Sequence, residues 1–258
     1  RAQYGLDRPL GEQFLAYLGR ILSGDFGDSY AQKKPVTAVI GAGLWPTLLL
    51  AGVSLGVAWL IALGSTLLAT GRSRAGRALS NGLDLTAASL PGFWLASMLI
   101  LVFSSWLGWL PPVSTGGWSG LVLPVLALAV PVAGFLAQVM REGALDALDA
   151  PFVTSARARG EGELGVRARH VLRHGAVPAL NLSGWALGSL ISGAAVIETV
   201  FARPGLGRTL VTAVLGRDVP VVLGIVLFIA LVYVLLTLLV DLAIARVDPR
   251  TEASLARA

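Results

Sequence analysis

The sequence predicts an all-α integral membrane protein whose chain crosses the bilayer several times. Of its 258 residues, 55% are hydrophobic and 14% are charged, and the mean hydropathy is +0.75. A soluble domain of this length needs far more polar surface to cover its core. The apolar residues also form long blocks, which favours lipid over water as the surrounding solvent. The chain has no cysteine, which excludes disulfides and thiolate metal sites.

Five apolar blocks are long enough to cross the bilayer as helices. A hydrocarbon core of about 30 Å requires about 20 helical residues. We therefore predict membrane spans at 44–70, 85–110, 119–140, 178–200 and 219–245.

The distribution of arginine between the loops predicts the orientation of these spans. One set of loops and the tail hold twelve: Arg72, Arg74, Arg77, Arg141, Arg157, Arg159, Arg167, Arg169, Arg173, Arg246, Arg250 and Arg257. On the other side, the loop 111–118 has none, and the loop 201–218 has only Arg203, Arg208 and Arg217. Basic residues concentrate on the cytoplasmic side of membrane proteins. We therefore expect the first set of loops and the C-terminus to be cytoplasmic.

An odd number of spans places residues 1–43 outside the cell. Apolar residues recur there at helical spacing, which predicts a short amphipathic helix on the outer membrane surface. These residues are Leu10, Phe14, Tyr17, Leu18 and Ile21. Because the segment needs a signal to carry it outward and the chain opens with Arg1, we expect one more helix upstream and six in the full protein. The predicted organisation is an extracytoplasmic segment 1–43 and a membrane domain 44–258.

The predicted cytoplasmic loop at about 141–177 is rich in charge, and residues 153–175 read VTSARARGEGELGVRARHVLRHG. An ordinary positive-inside loop is the simplest interpretation. Signals for helix ends indicate a fixed shape instead, because Asp149 can cap a helix whose first turn contains Pro151. Gly160 suits a left-handed stop. The loop is also longer than plain connections usually are.

Two short helices are predicted within this loop. The apolar face of the first comprises Phe152, Val153 and Ala156. The second is predicted to run from Glu163 or Leu164 to Gly175. Its apolar side comprises Leu164, Ala168 and Val171. Short helices cannot bury such faces alone, so the chain's own helix ends, the lipid surface or a partner must cover them. A shaped protrusion of this kind favours a docking element.

One motif in this loop is specific to a family. The stretch PFVTSARARG at 151–160, followed by RHVLRH at 169–174 and by Pro178, resembles the cytoplasmic EAA loop of ABC importer permeases. It is most similar to the version found in the dipeptide/oligopeptide/nickel importers. Thr154, Ser155 and Ala156 stand where the general motif has Glu-Ala-Ala, and Gly160 matches its glycine.

Further motifs of the same family occur in order along the chain. They are SGDFGDS at 23–29 with KPV at 34–36, LPGFWL at 90–95, LGWLP at 107–111, ETVF at 198–201, PGLGR at 204–208, RDVP at 217–220 and DPR at 248–250. The chain thus resembles the first, "B-type" permease of such importers, and the resemblance does not include that permease's first membrane helix. The resemblance implies the type I ABC importer transmembrane fold in a bacterial cell membrane.

The resemblance also implies two candidate sites. The first is a helix that docks into an ATPase subunit and comprises Pro151, Phe152, Val153, Thr154, Ser155, Ala156, Arg157, Ala158, Arg159 and Gly160. The second is an outer loop that faces a binding protein and comprises Arg203, Pro204, Gly205, Gly207, Arg208, Arg217 and Asp218. Arginines of this loop could meet acids of the binding protein, or could instead extend to the membrane interface.

The implied function is that of a membrane subunit of an ATP-driven importer of di- or oligopeptides. The implied partners are a second related permease, two cytoplasmic ATPases that bind ATP and magnesium, and an extracytoplasmic substrate-binding protein. The chain lacks the G-x-x-x-x-G-K-[ST] phosphate loop, so we expect no ATP hydrolysis by that chemistry and no catalytic residue of its own. Nickel chelates and glutathione remain alternative cargoes.

Other functional classes fit the sequence less well. A secondary transporter would be expected to carry paired acids or histidines at mid-membrane, and an intramembrane enzyme would need a catalytic pair there. His170 and His174 have a spacing that can bind metal, but no third ligand is in view, so we predict no metal site. Glu198 and Asp241 lie near the ends of predicted spans and are interpreted as solvated residues with a structural role.

Overall fold

The computed structural model describes residues 9–71, 73–114 and 117–247. Within these ranges the chain is helical and contains one isolated bridge, between Asp28 and Pro35. The helices are α1 (Leu10–Leu22), α2 (Val36–Ala69), α3 (Arg74–Ser89), α4 (Gly92–Leu99, continued by a π-helix at Ile100–Trp106), α5 (Ser119–Leu148), α6 (Pro151–Ala158), α7 (Glu163–Val166, continued by a π-helix at Arg167–Val171), α8 (Leu172–Asn181), α9 (Ser183–Val200), α10 (Leu206–Leu215) and α11 (Val219–Val247). Arg1, Arg72, Arg250, Arg257 and the motif at 248–250 lie outside the described residues.

Four of these helices, α2, α5, α9 and α11, are long and apolar enough to cross a membrane. The helices α3 and α4 pass the same test together and bring the number to five if the bent pair is one span. Four of the predicted spans are thus confirmed by length and composition, and the remaining one corresponds to the bent pair. Their limits differ from the prediction, because α2 already begins at Val36 and α5 continues to Leu148.

The second predicted span, 85–110, is wrong in shape because the chain bends by 106° between α3 and α4. Pro91 explains the position of the bend. The ring of a proline disfavours helical backbone in the preceding residue, and Leu90 is accordingly extended, with φ −75° and ψ 127°. The new helix then begins directly after Pro91.

Helix α5 lies at the centre of the fold and packs closely against α3 and α8. A side chain at Gly134 would place its Cβ 2.5 Å from the carbonyl oxygen of Asp84 in α3. A side chain at Gly175 in α8 would place its Cβ 2.4 Å from the carbonyl oxygen of Met140 in α5. Such distances are shorter than non-bonded atoms tolerate. Glycine is therefore required at both helix crossings.

A buried ion pair connects α3 to the C-terminal half of α5. Arg141 Nη1 lies 3.1 Å from Asp84 Oδ2, and Ser65 of α2 donates a 2.7 Å hydrogen bond to the other carboxylate oxygen. Asp84 is only 4% exposed. The three helices are thus joined by a satisfied polar cluster, which is the condition under which a buried charge is tolerated.

A helix, α1 (Leu10–Leu22), lies where the sequence predicts the amphipathic helix near the N-terminus, and its position on the outer membrane surface stays a prediction. Phe14 and Leu18 are exposed, whereas Tyr17 and Ile21 are half-buried. The apolar side chains that remain uncovered on α1 suit contact with a membrane surface.

Candidate functional site

The charged loop that the sequence predicts to be cytoplasmic contains the first of the two predicted helices as α6. Pro151 occupies its first turn as predicted, and Gly160 adopts the predicted left-handed backbone, with φ +79°. The predicted cap by Asp149 is wrong. Because α5 extends to Leu148, Asp149 becomes the C-cap of α5, and Ala150 with its extended backbone precedes α6 without a side-chain cap.

The second predicted helix is present but longer and differently wound. It runs from α7 through a π-helical turn at Arg167–Val171 into α8, which continues to Asn181. The predicted end at Gly175 is wrong, because this glycine lies against α5 instead of stopping the helix.

The apolar side of this second helix also differs from the predicted one. Of the three residues expected there, Val171 is buried, whereas Leu164 is 64% exposed and Ala168 is exposed. The buried positions are Val166, Val171, Leu172, Gly175 and Ala179. The spacing from Val166 to Val171 is five residues, whereas the spacings from Val171 to Gly175 and from Gly175 to Ala179 are four. The wider π-helical turn accounts for the shift of the buried face.

The chain itself covers most of the apolar face of α6. Val153 and Ala156 are fully buried against Ala144 and Ala147 near the end of α5, together with Val166 and Val171. The sequence left three possibilities for what covers this face: the chain's own helix ends, the lipid surface or a partner. In the structure the end of α5 covers it. Phe152 is half-buried, and its ring stacks on that of His174 with a centroid distance of 4.5 Å.

The remaining surface of α6 is exposed and basic. Seven of the ten residues predicted for docking are exposed: Pro151, Thr154, Ser155, Arg157, Ala158, Arg159 and Gly160. Arg157 forms an ion pair of 3.1 Å with Glu163, which braces α6 against α7. His170 contacts Glu161 at 3.0 Å, while His174 stacks on Phe152. The two histidines therefore engage different partners.

The loop is also attached to a helix that lies about one hundred positions away in the sequence. Arg167 Nη1 donates a 3.1 Å hydrogen bond to the carbonyl oxygen of Leu67, in the last turn of α2. Its Nε donates to the carbonyl oxygen of Glu163 within the loop itself. A cation at a helix C-terminus is favourable because it meets carbonyl groups without helical partners. A displacement of the loop would therefore act on α2 as well as on α5.

At the other end of the molecule, Glu198 joins three helices. It is fully buried near the end of α9, so the prediction that it is solvated is wrong, whereas the predicted structural role is supported. Thr47 of α2 donates its hydroxyl hydrogen bond to one carboxylate oxygen. The backbone N–H groups of Gly207 and Arg208, at the start of α10, donate to the carboxylate as well. A helix N-terminus is a favourable place for a carboxylate.

Two glycines allow this close approach. A Cβ at Gly205 would lie 2.1 Å from Glu198 Oε1, and a Cβ at Gly207 would lie 2.2 Å from the Cα of Ala195 in α9. The sequence analysis missed Thr47, whose hydroxyl also accepts a 2.8 Å hydrogen bond from the backbone of Leu206. No local motif in α2 signals this role, because the contact spans more than 150 positions.

The residues predicted to face a binding protein fall into two groups. Pro204, Arg208 and Arg217 are exposed. Gly205, Gly207 and Asp218 are buried, and Arg203 is half-buried with a 3.0 Å hydrogen bond to Ser114. The buried members pack within the turn. The exposed proline and arginines are the part of this set that is accessible to a partner.

Asp218 holds the turn that precedes α2. Its carboxylate accepts hydrogen bonds from Ser29 Oγ and from the backbone N–H groups of Tyr30, Ala31 and Val221. Burial alone raises the pKa of the Asp218 carboxyl, but these hydrogen bonds outweigh it and hold the pKa below its ordinary value. The turn around residues 28–35 is thereby fixed to the start of α11.

This clamp has an expected pH dependence. Because the pKa of Asp218 is lower in the folded state than in the unfolded state, its stabilising effect is fully present above the unfolded value of about 3.9 and is lost as the pH falls through the folded value. We expect Asp218→Asn to lower the melting temperature in detergent at neutral pH. The difference from the wild type should shrink below about pH 4. Intrinsic tryptophan fluorescence would follow the unfolding.

Asp28→Asn is a control for this comparison, because it removes the same charge from an exposed position in the same turn. A loss of stability equal to that of Asp218→Asn would contradict the assigned role of the clamp.

Comparison with known proteins agrees with this architecture. Residues 55–253 match the family described as "Binding-protein-dependent transport system inner membrane component". Among similar proteins is the glutathione transport system permease protein GsiC of Salmonella paratyphi A. It is 38% identical over 252 residues, which cover 96% of this chain and 82% of the relative. GsiC of Escherichia coli K12 is 37% identical with the same coverage.

Two solved structures have a similar fold. One is the MetNI methionine ABC transporter in inward-facing conformations, with a TM-score of 0.68 and 17% identity over 82% of this chain and 97% of the other. The other is an amino acid ABC transporter with histidines, with a TM-score of 0.59 and 18% identity over 83% of this chain and 94% of the other. At these identities the likeness establishes the fold alone.

Proposed function

We infer the cargo and partners of this protein from one premise: the chain belongs to the binding-protein-dependent inner membrane transport components, the permeases of ABC importers. The family predicted from the motifs, that of the dipeptide/oligopeptide/nickel importers, is confirmed, and so is the predicted all-helical importer fold. The protein is a multi-pass permease of a bacterial inner membrane. Members of this family work with a second permease, ATPases and a binding protein.

We propose that this chain forms half of a translocation path for short peptides, with a second, related permease as the other half. Peptides are the predicted cargo of the family resemblance, and glutathione, itself a tripeptide, is the named cargo of the similar permeases from Salmonella and Escherichia coli. Glutathione is therefore the first peptide to test. The orientation favoured by the arginine distribution places α6 and the C-terminus in the cytoplasm.

The proposed contact with the ATPase subunit is the exposed surface of α6 and the residues that follow it, from Pro151 to Gly160. Its support is the attachment of the loop: the base of α6 is buried against α5, and Arg167 holds the same loop to α2. A contact that drives alternating access must move the membrane helices as rigid bodies, so a docking helix on a loose tether would be ineffective. The outer surface around Pro204, Arg208 and Arg217 is the proposed contact with the binding protein.

The function can be tested with the purified complex in lipid nanodiscs. ATP turnover would be measured after addition of the binding protein loaded with glutathione, with a dipeptide, with an oligopeptide or with a nickel chelate. We expect a several-fold rise with a peptide cargo. A rise with the nickel chelate alone, or peptide uptake into vesicles without ATP, would refute the proposed function.

A further inference from the structure

A cavity of about 860 Å³ opens between α9, α10 and α11. Trp185, Ser189 and Ser192 of α9 and Tyr233 of α11 line its polar part, and Leu210 and Ile229 contribute to its apolar walls. No charged residue is among the described residues that line it. The two serines lie in the middle third of α9, about one helical turn apart, so the cavity lies at the depth of the membrane interior.

The cavity also includes Thr47 of α2, whose hydroxyl is bonded to Glu198, whereas the hydroxyls of Ser189 and Ser192 have no such partner. Along the same stretch of chain, Ser183 donates to the carbonyl oxygen of Ala179, and Thr199 donates to that of Ala195. Serine and threonine in membrane helices are usually satisfied in this way. Ser189 and Ser192 are exposed and form no such hydrogen bond with any described residue. In hydrocarbon this would leave unsatisfied polar groups, which costs free energy. Water or a polar ligand therefore suits this face better than lipid.

Tyr233 belongs to the same polar face although it lies on α11. Its ring packs on Gly188 so tightly that a Cβ there would lie 2.4 Å from Tyr233 Cε2. The ring therefore lies against α9, beside Ser189. Among the side chains of α11 that the structure describes, the other exposed ones are aliphatic, including Leu231, Leu235 and Leu238. An aliphatic surface suits contact with lipid acyl chains. It differs in this respect from the face of the cavity that carries the hydroxyl groups.

We propose that this cavity is a substrate-contact site of the transport path and that it binds the backbone of a short peptide. The hydroxyls of Ser189, Ser192 and Tyr233 can donate to peptide carbonyls and accept from peptide N–H groups. The apolar walls and Trp185 offer contact to peptide side chains without selecting their charge. A bare divalent metal ion would find no carboxylate or imidazole here. This inference rests on the proposed function, because it assigns a place to the peptide cargo.

The absence of cysteine from the chain permits a direct test. Ser189→Cys and Ser192→Cys would each be introduced singly, and the full complex with its partner subunits would be treated with a charged, membrane-impermeant thiol reagent. We expect both thiols to react and the reaction to slow when the binding protein is loaded with trialanine or S-methylglutathione, peptides that carry no thiol. Ala75→Cys, at an exposed position in the first turn of α3 and outside both proposed partner surfaces, is the reactive control, and Leu231→Cys on α11 is the unreactive one.

Each outcome either supports or overturns the proposed site. Reaction with protection by peptide supports the site. Failure to react, as expected at Leu231→Cys, would show that lipid or another helix covers this face and would overturn the proposal. Reaction without protection would overturn the peptide contact. The test is made on a complex whose ATP turnover rises with peptide, so that a failure of the site is distinguishable from a failure of the proposed function.

A second variant tests the hydrogen bonding itself. Tyr233→Phe in the Ser192→Cys background removes one hydroxyl and keeps the ring against Gly188. One hydrogen bond contributes about 0.5–1.5 kcal/mol, so the peptide concentration that gives half protection should rise about two- to tenfold. An unchanged half-protection concentration would exclude the tyrosine hydroxyl from the site.

Discussion

Phe152→Asp is expected to abolish peptide-stimulated ATP turnover and uptake, with the ATPase subunits lost from the purified complex. The ring of Phe152 is half-buried on α6, the helix proposed to dock into an ATPase. An aromatic anchor at the centre of an interface often contributes about 2 kcal/mol or more, which corresponds to about 30-fold in affinity. Introducing a charge there adds the cost of burying it. Co-purification of the ATPases and uptake into vesicles are the measurements.

The stacking of Phe152 on His174 requires its own control, because the substitution also removes this internal contact. His174→Ala removes the stack and leaves the phenyl ring in place, so the ATPases should remain bound. If His174→Ala were as damaging as Phe152→Asp, the defect would lie in the packing of the loop. Full transport by Phe152→Asp would refute the assignment of α6.

Glu198→Ala is expected to cause the largest loss of stability among the substitutions considered. It removes the acceptor for the Thr47 hydroxyl and for the backbone N–H groups of Gly207 and Arg208. Each buried donor left without a partner costs about 1–3 kcal/mol. We therefore expect the free energy of unfolding to fall by about 3 kcal/mol or more. Denaturant titration in mixed micelles, followed by tryptophan fluorescence, would measure the change.

Two neighbouring variants separate this role from a general effect of mutation. Thr199→Ala alters the next residue, whose hydroxyl is exposed and bonds only within α9, and should lower the melting temperature by no more than about 2 °C. Glu198→Gln keeps an acceptor oxygen and should lie between the wild type and Glu198→Ala. Equal stability of Glu198→Ala and Thr199→Ala would contradict the role of the carboxylate in joining α2, α9 and α10.

The local signals in the sequence predicted the parts of the fold that depend on neighbouring residues. The apolar blocks gave the number of spans, and Pro151 and Gly160 marked the two ends of α6. The motifs of the cytoplasmic loop and the outer turn identified the family. These features depend on composition, on proline and glycine backbone preferences and on short patterns, all of which can be read from a single sequence.

The features that were missed depend on contacts between distant segments. Asp149 is a good capping residue, but α5 extends far enough to make it the end of the preceding helix. The pattern of Leu164, Ala168 and Val171 assumes 3.6 residues per turn, which the π-helical turn does not have. The position of Glu198 near the end of a span suggested solvent, because neither Thr47 nor the start of α10 is visible as its partner from sequence.

The two glycine crossings of α5 determine how a movement of α6, driven by the ATPase, would be transmitted to the other helices. Gly134 contacts α3, and residues 140–144 contact Gly175 of α8. Both crossings therefore lie within about 15 Å of each other along α5. At each crossing the backbones of the two helices are in direct contact, so few flexible side chains lie between them that could absorb a displacement. Pulling on the end of α5 should therefore shift its two neighbours almost simultaneously, and a bulkier residue at either crossing would alter the timing of the transport cycle before it altered the choice of cargo.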